Sequence, residues 1–575
     1  ALPRSSWDDY DRTKISRSGG VYPRSAKSIA LAPQAQEMLG LQSASAAPQE
    51  IVRAILRMPV DLLWNGGIGT YVKATGETNA DIGDRANDGV RINGSQLAAK
   101  VVGEGGNLGL SQRGRIEYAL RGGRLNTDFI DNSAGVNTSD VEVNIKILLN
   151  PLTQTGKLRL AARNRLLASM TDAVATLVLR NNYLQGQAIS TLELQSSARL
   201  AEHQHLIRSL ERSGELNRAI EFLPDDEELA ERRKRGVGLT RPELAVVLSY
   251  SKIWLSHHLL ASDVPEDPYL SNELERYFPA PVRARFPAAI SRHRLRREII
   301  VTATTNSLIN RMGPAFVLRA QEETGADPAR IARAYTAARE IFGMRRLWEQ
   351  IEALDNRVPA KLQYGMMYET SRLLRHMSYW LLQRRREIKI DAAVAELHSG
   401  VRELSDHIGK VLTGLWREQY DRVRGAHIEA GVPVELAARI AGLGALNAAL
   451  DIVELAAARR GRLSETAHVY FEVGARVGLD WLRDQVERLP VEGSWQAVAR
   501  TELRDGLFRA HRRIAASVLA LRTRGGVQAR VDTWLERNSK ALQVWQSMLA
   551  DMRAAGSADF ATLTVGLECV RKLTD

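Results

Sequence analysis

Three short runs hold the residues best suited to grip a ligand: Asn65-Gly66-Gly67-Ile68-Gly69, Gly103-Glu104-Gly105-Gly106-Asn107, and Asn132-Ser133-Ala134-Gly135-Val136 with Ser139 just beyond. Their chemistry is recognition rather than bond-making. Glycine lets backbone approach a bound molecule closely, and the Asn amides and Ser hydroxyl supply donors and acceptors. Each run taken alone also reads as a tight turn needing positive φ. Three in the same setting argue for a shared surface.

The setting is repeated along the chain. VDLLWNGG at 60–67, KVVGEGGN at 100–107 and LNTDFIDNSAG at 125–135 each read as a buried apolar strand followed by a Gly/Asn loop. Helical character lies between them, in GSQLAAK at 94–100 and SQRGRIEYALRGG at 111–123. Strand, loop, helix and strand in that order predict parallel strands with crossover connections. In such a doubly wound sheet ligands bind beyond the carboxyl ends of the strands, where the three runs fall. Gly103-Glu104-Gly105 begins the dinucleotide fingerprint GxGxxG, but Leu108 stands at its third glycine, so the pyrophosphate loop is expected elsewhere. Ser139-Asp140-Val141-Glu142 is spelled as a capping box, with Val141, Ile145, Leu148 and Leu149 as the apolar side of the following helix. On that reading Ser139 sits where free N–H groups and the positive dipole end would receive a carboxylate.

Beyond about residue 150 the strand signal gives way to helical periodicity. Leu239-Thr240-Arg241-Pro242-Glu243-Leu244 marks one helix start, with Thr240 and Glu243 as a capping box and Leu239 stapling onto Leu244. Leu244, Val247, Leu248, Leu255 and Leu259 then share a face. Similar patterns run through 297–312, 365–386, 434–459 and 529–554, and ERRKRGVG at 231–238 reads as a linker. The fold class expected is α/β followed by all-α, a partial Rossmann-like parallel sheet with a large helical C-terminal domain. The boundaries are 1–150, a helical return and linker at 151–235, and 236–575.

The 575 residues are 44% hydrophobic, ample for several packed cores. A lone cysteine, Cys569, excludes an internal disulfide, no export signal is spelled at the start, and no apolar run reaches membrane-span length. A reducing cytoplasm and no membrane are therefore expected. The opening ALPRSSWDDYD lacks Met and reads as domain interior, so a segment of a longer protein is expected. The formal net charge of +12 raises nucleic acid as a partner. The basic runs at 232–235, 292–297 and 384–386 lie beside acidic residues or on amphipathic helices, so ion-paired surface and no nucleic acid are expected. His203, His205, His257 and His258 lack the spacing and acidic partner of a zinc site, and no metal is expected.

PVDLLWNGGIGTYVKA, NGSQLAAKVVGEGGN, LNTDFIDNSAGVNTSDVEVN, TRPELAVVLSYSKIWL, ATTNSLINRMGPAF and RLLRHMSYWLLQRR, in that order, closely resemble the large bacterial NAD-specific glutamate dehydrogenases. The resemblance implies NAD as cofactor, L-glutamate and 2-oxoglutarate as substrates, and a homo-oligomer. It makes residues 1–150 the C-terminal part of a dinucleotide-binding catalytic domain. It places Asn65, Gly66, Gly67, Asn107 and Asn132 along the cofactor, with Val136 and Ser139 facing the substrate. It puts the catalytic lysine and carboxylate upstream of Ala1. NSAG and GEGGN depart from the loops of the small hexameric enzymes. On the residues alone two other readings stay open: a basic helical scaffold for nucleic acid or protein, and an NAD-dependent dehydrogenase of another amino acid.

Overall fold

The computed structural model describes residues 6–9, 11–490, 494–556 and 558–573. Part of the opening segment, residues 1–5 and 10, lies outside them. The chain divides into two compact units. The first comprises Ala1–Leu200, Ser209–Tyr250 and Phe278–Leu295, and the second Ala201–Arg208, Ser251–Tyr277 and Arg296–Asp575.

Every strand among the described residues lies in the first unit. Leu62–Asn65 pairs in parallel with Val101–Glu104, Leu62 opposite Val101 and Asn65 opposite Glu104. Val72–Lys73 pairs in parallel with Ile92–Asn93, and Ile29–Ala30 pairs antiparallel with Ser45–Ala46. Parallel bridges join Val72 to Leu110 and Val101 to Arg124. Val72, Ile92, Val102, Leu110, Tyr118 and Leu125 form the core beneath these strands. The helix Gln112–Leu120 closes over it, capped by Ser111, whose hydroxyl accepts from the Gly114 N–H. Gly94 allows that approach, because a Cβ there would meet the Gly114 carbonyl oxygen at 2.6 Å. The sheet is smaller than its sequence implies. Leu62, Trp64 and Val101 are exposed, so the parallel pair is covered on one face rather than both.

LNTDFIDNSAG departs from the strand expectation. Leu125 is buried as a strand residue would be, but Asp128–Asp131 is a helical turn and a second helix starts at Ser133. One turn brings Asp128 and Asp131 to the same side, where both carboxylates accept backbone N–H groups of the 103–108 loop. A strand would have pointed them to opposite faces. GSQLAAK also departs, forming a single 3-10 turn, Gly94–Gln96, before the chain extends.

The second unit is entirely helical among its described residues. Pro328–Ile341, Ala360–Arg384 and Ile390–Val411 pack together, the first of them almost wholly buried. The 434–459 pattern is two helices, Val434–Gly442 and Ala449–Arg459, joined through a 3-10 segment after Gly444. The 529–554 pattern breaks at Asn538, whose side-chain amide donates to the Trp534 carbonyl and ends the first helix. No single helix among the described residues is long and apolar enough to cross a membrane. The bent pair Val434–Gly442 and Ala445–Arg459 passes that length and composition test together, and its Leu436, Ile440, Leu450 and Ile452 are core residues.

Segment 231–238 is largely exposed but anchored. The helix Asp226–Lys234 runs into it, and Arg232 is buried, donating to both oxygens of Glu243 at 2.8 Å. Glu243 also accepts from the Thr240 N–H and hydroxyl at 2.7 Å, so one carboxylate holds the helix start and the buried guanidinium. The remaining basic runs are ion-paired as well, Arg296 and Arg297 with Glu266 and Arg385 with Glu396. Glu243→Ala leaves Arg232 with the half-exposed Glu228 as its remaining carboxylate among the described residues. A loss of about 3 kcal/mol is expected, read as a lower denaturant midpoint at unchanged slope.

Candidate functional site

The three Gly/Asn loops converge at the carboxyl end of the parallel pair. Strand Leu62–Asn65 delivers the first, and the Asn65 carbonyl accepts from the N–H groups of Gly105 and Gly106 at 2.9 and 3.1 Å. Glycine is required at Gly106, since a Cβ would meet the Gly67 carbonyl oxygen at 2.2 Å. Trp64 lies across Gly103 and Gly105, where a Cβ would come within 2.7 and 2.4 Å of its ring. The side chain of Asn65 turns inward against Gly109, with its Nδ2 buried and without a hydrogen-bond partner among the described residues. Gly66 and Gly67 remain exposed at the rim.

A buried ion pair holds the second loop to the third. Glu104 is fully buried, and Arg115 grips its carboxylate in two hydrogen bonds of 2.6 and 2.8 Å. Arg115 also reaches Asp128 at 3.1 Å, and Asp128 accepts from the Leu108 N–H at 2.8 Å. Asp131 accepts from the Glu104 N–H at 3.0 Å and from the Asn126 amide at 2.7 Å. Burial pushes the Glu104 carboxyl above its usual range against the pull of Arg115. Burial also works against the Arg115 charge, but the bonds to Glu104 and the field of Asp128 outweigh it and raise its pKa.

Leu108 is held at φ 58, the left-handed conformation that favours glycine. It occupies the position of the fingerprint's missing third glycine, so the backbone there takes a glycine-like form with a leucine side chain exposed. The Thr70 hydroxyl donates to its carbonyl at 2.7 Å and secures the turn.

Asn107 and Asn132 meet, the Asn132 amide donating to Asn107 Oδ1 at 2.8 Å. Asn132 precedes the helix Ser133–Gln154, so the expected start at Ser139 is corrected. Ser139 lies in the second turn, where its N–H is already helical. The Thr138 hydroxyl donates to the Ala134 carbonyl, as it does inside a helix. Val136 and Ser139 are exposed and one turn apart, on the stripe that begins at Asn132. Asn182, from the helix Thr171–Gln195, donates to the Ile130 carbonyl and to Ser133 Oγ at 2.8 and 2.9 Å and fixes that helix start.

The sequence expectations thus fall into place unevenly. Gly66, Gly67 and Asn107 are exposed on the loops and Asn132 is bonded to Asn107, Val136 and Ser139 lie exposed along the helix that follows, and the Asn65 side chain turns inward. Glu104, Arg115, Asp128, Asp131 and Asn182 were missed. A charged residue enclosed by glycines, and two acids three apart beside an Asn-rich turn, were the available signals. The lysines near these strands are engaged elsewhere, Lys73 with Asn93 and Lys100 with Asp61. Lys252, also passed over, belongs to the second unit, where burial pushes it down to about 7.

Residues 1–192 match the model for the bacterial NAD-glutamate dehydrogenase catalytic domain, and residues 236–572 match that for the glutamate dehydrogenase C-terminal region. The chain belongs to the bacterial NAD-glutamate dehydrogenase family. It is 48% identical over 567 residues to the NAD-specific glutamate dehydrogenase of Pseudomonas aeruginosa, covering 98% of this chain and 35% of that protein. The Halomonas elongata and Mycobacterium tuberculosis enzymes of the same name are 45% and 39% identical, each over 100% of this chain and 36% of their own length. The chain spans about a third of the length of these family members.

Gly106→Ala and Gly67→Ala separate the two glycine roles. The first drives a methyl into the facing loop and is expected to cost about 1–3 kcal/mol. The second meets nothing within 4 Å and is expected to leave the thermal midpoint near wild type.

Proposed function

We propose that the loop cluster is one wall of the cofactor and substrate site of an NAD-dependent glutamate dehydrogenase, an oxidoreductase that reversibly converts L-glutamate to 2-oxoglutarate and ammonia. One observation carries the reading: Gly66-Gly67, Asn107 and Asn132 from three separate runs border one open surface at the carboxyl ends of parallel strands, the place where doubly wound sheets bind nucleotides. The parallel strands are then part of a larger Rossmann-like sheet.

The residues present fit the cofactor. The Asn107–Asn132 bond uses one oxygen and one amide, leaving Asn107 Nδ2 as a donor and Asn132 Oδ1 as an acceptor without another partner among the described residues. A donor beside an acceptor complements a carboxamide such as that of nicotinamide. Gly66 and Gly67 let a ribose or phosphate approach the backbone with no Cβ in the way. NAD, when bound, accepts a hydride from the α-carbon of the amino acid. Val136 then offers an apolar contact to the substrate's methylenes and Ser139 a hydroxyl to a carboxylate. No proton-transfer role is proposed for the residues of this cluster; the role proposed for them is to bind and orient.

The test is steady-state NADH formation by the full-length enzyme. Asn107→Ala is expected to raise the KM for NAD about tenfold, the worth of one hydrogen bond of about 1.4 kcal/mol, with the KM for glutamate near wild type. Ser139→Ala is expected to raise the KM for glutamate and spare that for NAD. Unchanged constants in both variants would overturn the assignment.

A further inference from the structure

The second unit contains a cavity of about 830 Å³, within the size range of small-ligand sites. Five helices wall it, Ala360–Arg384, Gly414–Glu429, Val434–Gly442, Leu479–Arg488 and Ser494–Ala520, together with the 3-10 segment Ala445–Ala448. Leu362, Met366, Leu412, Trp416 and Phe508 make much of the lining apolar.

Its charged residues are unequally satisfied. Glu487 receives a hydrogen bond from Arg372 at 3.0 Å and has Arg504 at 3.9 Å. Glu369 pairs with Arg372 at 3.2 Å and Asp484 with Arg488 at 2.9 Å. Asp480 accepts the backbone N–H groups of Leu415 and Trp481 at 3.1 and 2.8 Å. Arg483 differs. Its guanidinium lies over the Trp416 ring at 3.2 Å from the centroid, with Phe508 at 5.4 Å. Among the described residues no carboxylate or carbonyl takes a hydrogen bond or ion pair from it. Asp480, Asp484 and Glu487 are near enough to favour its charge, but each is turned to the partners just named. The residue is half-buried, and desolvation pushes its pKa down to about 10.

A guanidinium stacked on an indole keeps its N–H edge free for a planar bidentate acceptor. The apolar wall beside it suits a hydrocarbon or aromatic body. We propose that this cavity is a binding site for a small carboxylate with an apolar portion, the carboxylate on Arg483 and the apolar portion against Trp416, Met366 and Phe508. The site is separate from the loop cluster, and its occupancy does not depend on the assignment made there.

Isothermal titration of the full-length protein with 3-phenylpropanoate and its neutral isostere 3-phenylpropionamide tests this. The acid is expected to bind with a Kd below about 1 mM and the amide at least about tenfold more weakly. Arg483→Met should abolish the preference. Gly365→Leu provides a second variant, because Gly365 lines the cavity and a Cβ there meets nothing within 4 Å. Leucine fills the cavity from a helix that gains propensity, so binding should be lost while the thermal midpoint is retained. Equal affinity for acid and amide, no detectable binding of the acid, or unchanged binding in Gly365→Leu would overturn the proposal.

Discussion

Arg115 sits between two carboxylates, Glu104 from the end of a strand and Asp128 from the turn before the helix Ser133–Gln154. The pair is almost fully removed from water, and a buried charge without its partner costs several kcal/mol. The loops at the strand ends can therefore separate only by exposing or orphaning these groups. Asp128 and Asp131 extend the constraint to the backbone, because their remaining oxygens take up the Leu108 and Glu104 N–H groups. The irregular 103–108 run owes its shape to this clamp, including a leucine held at positive φ.

Rigid support below and open polar groups above is a useful division of labour for a binding site. The charges lie beneath the surface and are consumed by one another, whereas the exposed amides of Asn107 and Asn132 and the bare backbone of Gly66 and Gly67 stay available. On the proposed reading a ligand would meet donors and acceptors that are already in place, with little ordering cost on binding. The helical unit follows a different plan. It buries arginines freely but pairs them, Arg339 with Glu273 and Glu340, Arg319 with Glu202 and Glu323. Against that background Arg483, which has no ion-pair partner among the described residues, stands out.

Helices were the most legible part of the sequence, because their apolar period repeats over several turns. Leu244, Val247, Leu248, Leu255 and Leu259 are all fully buried, as their spacing implied. The two strands at 62–65 and 101–104 were legible as short apolar runs ending in Gly/Asn loops, although Leu62, Trp64 and Val101 are exposed where full burial was expected. The third strand was misread because Leu125 and Ile130 are both buried, which short apolar runs share between strand and helical turn. Ser139 was misread because a capping-box spelling does not reveal whether a helix has already begun six residues earlier. The Arg115 clamp was hidden because its members come from three separate segments, and sequence spacing carries no information on which buried charges will pair.

Hydrogen–deuterium exchange of the full-length enzyme with and without NAD tests the central placement most directly. Slower exchange on adding NAD is expected in peptides covering 65–69, 103–109 and 130–137, with the second unit's core helices unchanged. Protection confined to other parts of the protein, with exchange in these three peptides unaltered, would contradict the assignment of the loop cluster to the cofactor.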